Sequence, residues 1–296
     1  MRAVTISIKS SSYKKQRGVI LLILLIILGT GAMYALLRTL NQNNLQTERD
    51  KKTTEALALA KQALIGYAVS MNLQPTAAAR PGDLPCPDLN DDGNSDSSCG
   101  SAAGSSQSSR LGRLPWKTLD LPDLRDGYGE RLWYAVSNNF KTNTRREPLN
   151  RNTYGTITVR DPAGNVIHNG TNTTGAIAVI IAPGAPITRL GVLQVRSGAG
   201  VNSPINYLDI AQNEDNADFS DGALNGFIQG VLSNADSLVI NDKISVVTYQ
   251  DLMPLINKRV VGELSKCPDP STCNISPIST SGWWVRNSWS SIYAFP

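Results

Sequence analysis

The sequence predicts an α+β protein. A long N-terminal helix, half transmembrane and half amphipathic, packs on an antiparallel β-rich head that carries a C-terminal helix. Three observations predict this. Residues 19–37 read VILLILLIILGTGAMYALL and hold no ionisable side chain except the neutral Tyr34. No proline occurs from residue 19 to residue 74. Beyond Pro75, short segments rich in β-branched and aromatic residues alternate with Pro, Gly, Asn and Asp, the texture of strands and turns.

Taken in order, the chain divides into a basic leader (1–18), a transmembrane helix (19–37), an amphipathic stalk helix (38–74) and a periplasmic α+β head (75–296). At about 1.5 Å per residue the apolar run is about 29 Å long, close to the hydrocarbon thickness of a bilayer. Lys14, Lys15 and Arg17 precede it and only Arg38 directly follows it. The bias of basic residues toward the cytoplasm therefore predicts a single-pass inner-membrane protein, N-terminus inside and head in the periplasm. The stalk carries Leu57, Ala60, Leu64, Tyr67, Ala68 and Met71 at a 3–4 spacing, one apolar stripe, with Glu55, Lys61 and Gln62 on the other face.

In the head, residues 132–136, 156–159, 176–182, 237–240 and 245–248 read as strands, and 161–165 (DPAGN) as a turn. A last helix is expected over 251–264, capped by Asp251, with Pro254 in its first turn. Residues 97–110 read as a flexible loop. Trp283, Trp284, Trp289 and Tyr293 cluster near the C-terminus and are expected to close the core.

Charge and composition exclude several functions. The net charge of +4 conceals a leader (residues 1–17) of +5, so the remainder is nearly neutral at −1 and lacks the basic surface that nucleic acids require. The only histidine, His168, lies in a turn-rich stretch, which removes most imidazole-based catalysis. No G-x-S-x-G, Walker lysine or dinucleotide loop occurs. Asp123, Asp126 and Glu130 read as solvated loop acids. No enzyme is expected.

Two features remain in the head. Cys86, Cys99, Cys267 and Cys273 allow three disulfide pairings, with proximity favouring Cys86–Cys99 and Cys267–Cys273; their spacings fit no common zinc pattern. Between the first two cysteines, Asp88, Asn90, Asp92, Asn94 and Asp96 form D-x-N-x-D-G-x-x-D, alternate oxygen ligands around a glycine turn that suit Ca2+. Cys99 stands where an EF-hand would place its closing glutamate, so such a site needs further oxygens, for example from Asp83.

The leader ending at Arg17–Gly18, followed by the aliphatic helix, resembles the N-terminus of type IV pilins and type II secretion pseudopilins. The resemblance implies cleavage by a prepilin peptidase after Gly18 and methylation of Val19. It also implies partners among other pilin-like subunits and the inner-membrane assembly machinery. Ile23 stands where the family usually carries glutamate, a departure shared with some minor pilins placed at a fibre tip. Within the head, LPCPD (84–88), GRLPWKTL (112–119) and DGYGERLWY (126–134) resemble a largely uncharacterised group of minor pilin-like bacterial proteins. The function these resemblances imply is a subunit of a type IV pilus or type II secretion pseudopilus, at the tip or in initiation. The competing expectation is a membrane-tethered periplasmic binding module with a calcium-stabilised head that enters no fibre.

Overall fold

The computed structural model describes residues 17–71, 80–97, 99, 110–141, 149–211, 214–219, 222, 226–234 and 237–265. The leader before residue 17, most of the loop at 97–110, and Cys267, Cys273 and the C-terminal tryptophans lie outside the described residues.

Helix α1 runs Arg17–Ser70 without a break at Asn41–Asn44. Thr30, between two helix-weakening glycines, turns its hydroxyl back onto the carbonyls of Ile26 (2.9 Å) and Ile27 (3.1 Å). The chain divides into two units, Met1–Glu48 and Arg49–Pro296, so the boundary falls inside this helix. In the first unit, Val19, the residues from Leu21 to Leu28, Met33, Tyr34 and Leu37 are 50–68% exposed.

Among the described residues the second unit contains thirteen short strands: β1 Leu111–Arg113, β2 Trp133–Val136, β3 Val159–Arg160, β4 Val166–His168, β5 Ala178–Ala182, β6 Thr188–Arg189, β7 Val192–Leu193, β8 Ile210–Ala211, β9 Glu214–Asp215, β10 Phe227–Ile228, β11 Leu232–Asn234, β12 Ser237–Ile240 and β13 Lys243–Val247. Helix α2 follows at Tyr249–Ser265. The central sheet has the order β1-β2-β5-β13 and is antiparallel throughout.

Strand β5 is buried along its whole length, and its period of two divides it between two cores. Ala178, Ile180 and Ala182, with Tyr134 and Val136 of β2, meet Ala56, Leu57, Ala60, Leu64 and Ala68 of α1 and Leu252, Met253 and Ile256 of α2. Val179 and Ile181, with Trp133 and Ala135, meet Ile157, Val159, Tyr207, Leu208, Phe219 and Phe227 on the other side. The continuous apolar run of 176–182 is thus that of a strand covered on both faces.

Four further connections hold the helices. The Gly127 amide donates to Thr53 Oγ1 (2.9 Å), and a β-carbon on Gly127 would lie 2.3 Å from the Arg49 carbonyl oxygen. Lys61 pairs with Asp251 (2.9 Å) and Lys243 with Asp50 (2.8 Å). Arg259 donates to the carbonyls of Val69 and Met71 (2.7 Å to the latter), satisfying the open C-terminal end of α1. Thr248 caps α2: its amide (2.8 Å) and hydroxyl (2.7 Å) both donate to Asp251 Oδ2, and its Oγ1 accepts from the Asp251 amide (3.4 Å). Asp251 is therefore the third helical residue, and Pro254 lies inside the helix.

Three expectations are corrected. Among the described residues no helix is long and apolar enough to cross a membrane. The transmembrane half and the single-pass inner-membrane placement with a periplasmic head are therefore overturned. The predicted architecture, one rod on one antiparallel head, is also overturned. The rod divides between two units, and the strands form one four-stranded sheet beside a three-stranded and three two-stranded ones. Strands of two to five residues, interrupted by glycine, proline and asparagine, form small separate sheets, and β3 pairs with the distant β10 in parallel, with no hairpin between them.

Two substitutions test how the helix is held. Leu64→Ala, at a fully buried position, is expected to lower unfolding free energy by about 2–5 kcal/mol in urea titration. Gly127→Ala is expected to cost about 1–3 kcal/mol by forcing the loop off the helix backbone.

Candidate functional site

The three head motifs assemble into one region. Cys86 and Cys99 are disulfide-bonded and close the acidic loop. The Asp88 amide donates to the Arg113 carbonyl (3.0 Å) and the Arg113 amide to the Asp88 carbonyl (2.7 Å), so the loop begins as a partner of β1. Gly112 is required there, since a β-carbon would lie 2.7 Å from the Asp88 carbonyl oxygen. The Lys117 amide donates to the Gly93 carbonyl (2.8 Å) and the Ser95 amide to Thr118 Oγ1 (2.8 Å). Gly93 adopts φ 87° against the Trp116 ring, which a β-carbon would approach to 2.7 Å.

The acidic side chains of the loop face its own backbone. Asp88 Oδ1 accepts from the amides of Asn90 (3.1 Å) and Asp92 (3.2 Å), and its Oδ2 from that of Gly93 (2.6 Å). Asn90 Oδ1 accepts from the Asp92 amide (3.1 Å), Asp92 Oδ1 from the Asn94 amide (2.7 Å) and Asp96 Oδ2 from the Leu89 amide (2.7 Å). Burial raises the Asp88 carboxyl against the pull of these amides, whereas the Asn94 amide lowers that of exposed Asp92. The loop is a series of Asx turns in which Asp88, Asn90, Asp92 and Asp96 each accept from a backbone amide. Among the described residues no group of three or more His, Cys, Asp or Glu side chains is placed to hold a metal. Asp83, considered as an extra ligand, pairs with Arg80 Nε (2.9 Å), and burial lifts its carboxyl to about 7.

Asp91, at φ 64°, pairs with Arg131 (2.8 Å), which also grips both oxygens of Asp123 (2.8 and 3.1 Å). Arg125 adds a second guanidinium at 2.7 Å. Burial pulls the Asp123 carboxyl up, but the two guanidiniums outweigh it and hold it below the usual range. Asp126 is fully buried. Its Oδ1 accepts from Tyr128 (2.8 Å) and Glu130 (2.9 Å) and its Oδ2 from Gly184 (2.9 Å). The reading of these acids as solvated is thus corrected for Asp123 and Asp126, which organise the loop that seats on α1. Sequence reasoning also missed Arg113, clamped between Trp133 (4.2 Å) and Tyr207 (4.1 Å); burial lowers its affinity for its proton. Its signal was the alternation of β1, which turns Arg113 toward the aromatic core.

Trp133 and Tyr134 are buried, with the Tyr134 hydroxyl donating to the Pro85 carbonyl (3.1 Å), as packing anchors. Outward, the loop presents Leu89, Asn90, Asp92 and Asn94. Gly18 and Val19 lie in the first turn of α1, apart from this region in sequence. The arrangement is a disulfide-closed loop with Leu89, Asn90, Asp92 and Asn94 on its outer face. Comparison with protein-family models, with curated proteins and with solved structures finds no match.

Two measurements test the loop. Replacing Cys86 and Cys99 by serine is expected to lower unfolding free energy by about 2–4 kcal/mol, because the open loop regains chain entropy in the unfolded state. Tm with a chelator and with added Ca2+ tests the loop as a cation site: a rise with Ca2+ concentration shows that the loop takes the cation, and an unchanged Tm shows that its amides alone satisfy it.

Proposed function

We propose that the chain is a pilin-like or minor pseudopilin-like subunit that contributes to assembly of a type IV pilus or type II secretion pseudopilus. Its N-terminal apolar helix packs beside the equivalent helices of neighbouring subunits, and its head selects which neighbours fit. The observation that supports this reading is the division of α1. Residues 56–68 bury one stripe in the head, whereas the aliphatic side chains between Val19 and Leu37 that the structure describes are 50% or more exposed. A long aliphatic surface without a cover calls for partner helices of the same chemistry. Ile23 is 50% exposed and carries no charge, so it offers no counter-ion for the terminal amine of a neighbour. That favours a tip or initiating place over repetition along a shaft. The ordered, disulfide-closed loop supports a head built for recognition.

The test has two parts. Mass spectrometry of the protein from its native cells is expected to show a chain that begins at Val19; an intact Met1 contradicts prepilin processing. Ile26→Cys is expected to crosslink to pilin-like subunits, while Leu89→Cys on the head gives a different partner set. Crosslinks to no such subunit from either position overturn the assembly reading.

A further inference from the structure

On the side of the central sheet away from α1, two carboxylates meet in the interior. Asp209 precedes β8 and Asp242 joins β12 to β13; they are 1% and 0% exposed. Each accepts from the other's backbone. The Asp209 amide donates to Asp242 Oδ2 (2.9 Å), and the amides of Asn241 (2.8 Å) and Asp242 (3.3 Å) donate to Asp209 Oδ2. Gln194 Nε2 donates to Asp209 Oδ1 (3.0 Å), and Asn216 Nδ2 to Asp242 Oδ2 (2.9 Å). Asp242 Oδ1 is buried and has no partner among the described residues.

The neighbouring cation is Arg196, whose guanidinium is engaged elsewhere. It donates to the carbonyls of Gly184 (2.7 Å), Asn206 (3.0 Å) and Tyr207 (3.3 Å) and to Gln194 Oε1 (3.0 Å), and pairs with Glu130 (3.3 Å). Lys243, next in sequence to Asp242, pairs with Asp50, and Glu214 and Asp215 across the β8–β9 hairpin pair with Arg160 and Arg189. Two adjacent negative charges buried in the interior are strongly unfavourable.

We propose that Asp209 and Asp242 hold one proton between them, seated on Asp242 Oδ1, and that by removing one of the two charges this proton preserves the reciprocal amide contacts between the segment before β8 and the β12–β13 connection, making the head a structure that loosens as pH rises. Oδ1 is the oxygen that can take a proton without disturbing any of the amides. In agreement, burial and then the Asp209 charge raise the Asp242 carboxyl well above its ordinary value, and burial lifts Asp209 to about 6. The pair titrates as a unit. Folded values above the unfolded value of 3.8 mean that the folded state holds extra protons. The stability that these protons supply is therefore full below the unfolded value of 3.8 and is lost as pH rises from there through the folded values.

The test compares thermal unfolding of the wild type with Asp242→Asn between about pH 5 and about pH 9. Asparagine keeps an acceptor for the Asp209 amide but removes the second charge. The variant is expected to exceed the wild type in Tm by about 2–4 °C near pH 8, with the gap closing toward pH 5. Parallel profiles overturn the proposal. Asp83, lifted to about 7, contributes a similar decline to both proteins and drops out of the difference. If Asp242→Asn does not fold, infrared spectroscopy of the wild type above pH 8, where Asp83 is ionised, decides. A carboxylic-acid carbonyl band that disappears at higher pH supports the shared proton, and its absence refutes it.

Discussion

The head depends on burying one face of residues 56–68 of α1. Ala56, Leu57, Ala60, Leu64 and Ala68 form a narrow stripe, and three of the five are alanine. Small side chains let the helix axis approach the sheet closely, so little lateral tolerance remains. The close pass of Gly127 over the Arg49 carbonyl follows from that approach, as does the need for Arg259 to reach the end of the helix. Dispersion and loss of apolar surface to water supply the energy, and the polar contacts fix the register.

Asp126 connects this packing to the recognition loop. Its carboxylate gathers three amides, shapes the 126–130 turn that meets Thr53, and fixes Gly184 at the end of β5. From the same turn, Arg131 reaches Asp91 and Asp123. The disulfide loop therefore stands on a scaffold whose position is set by the helix.

Much of the second unit was legible because its signals are local. The run at 176–182 is long, apolar and β-branched, and forms the strand buried on both sides; the 3–4 spacing of the stalk marks the stripe that enters the core. The turn at 161–165 is closed by Asp161, whose Oδ1 accepts from Ala163 (2.9 Å) and Asn165 (2.8 Å). The start of α2 was misplaced because Asp251 was read as the cap, although the T-x-x-D pattern beginning at Thr248 was present. The acidic loop shows why spacing alone did not reveal its chemistry: alternate oxygens suit a cation and suit backbone amides equally, and only the fold decides. The parallel pairing of β3 with β10 and the meeting of Asp209 with Asp242 join residues distant in sequence, and nothing near either partner announces them.

Strand β13 and helix α2 are the last described elements of the chain, yet β13 completes the central sheet beside β5 and α2 covers the stripe of α1. A ribosome therefore releases the greasy face of the stalk some two hundred residues before it releases the pieces that shield it. The nascent polypeptide must be kept from sticking to others throughout that interval, and translation stopping before α2 yields a product with an open core.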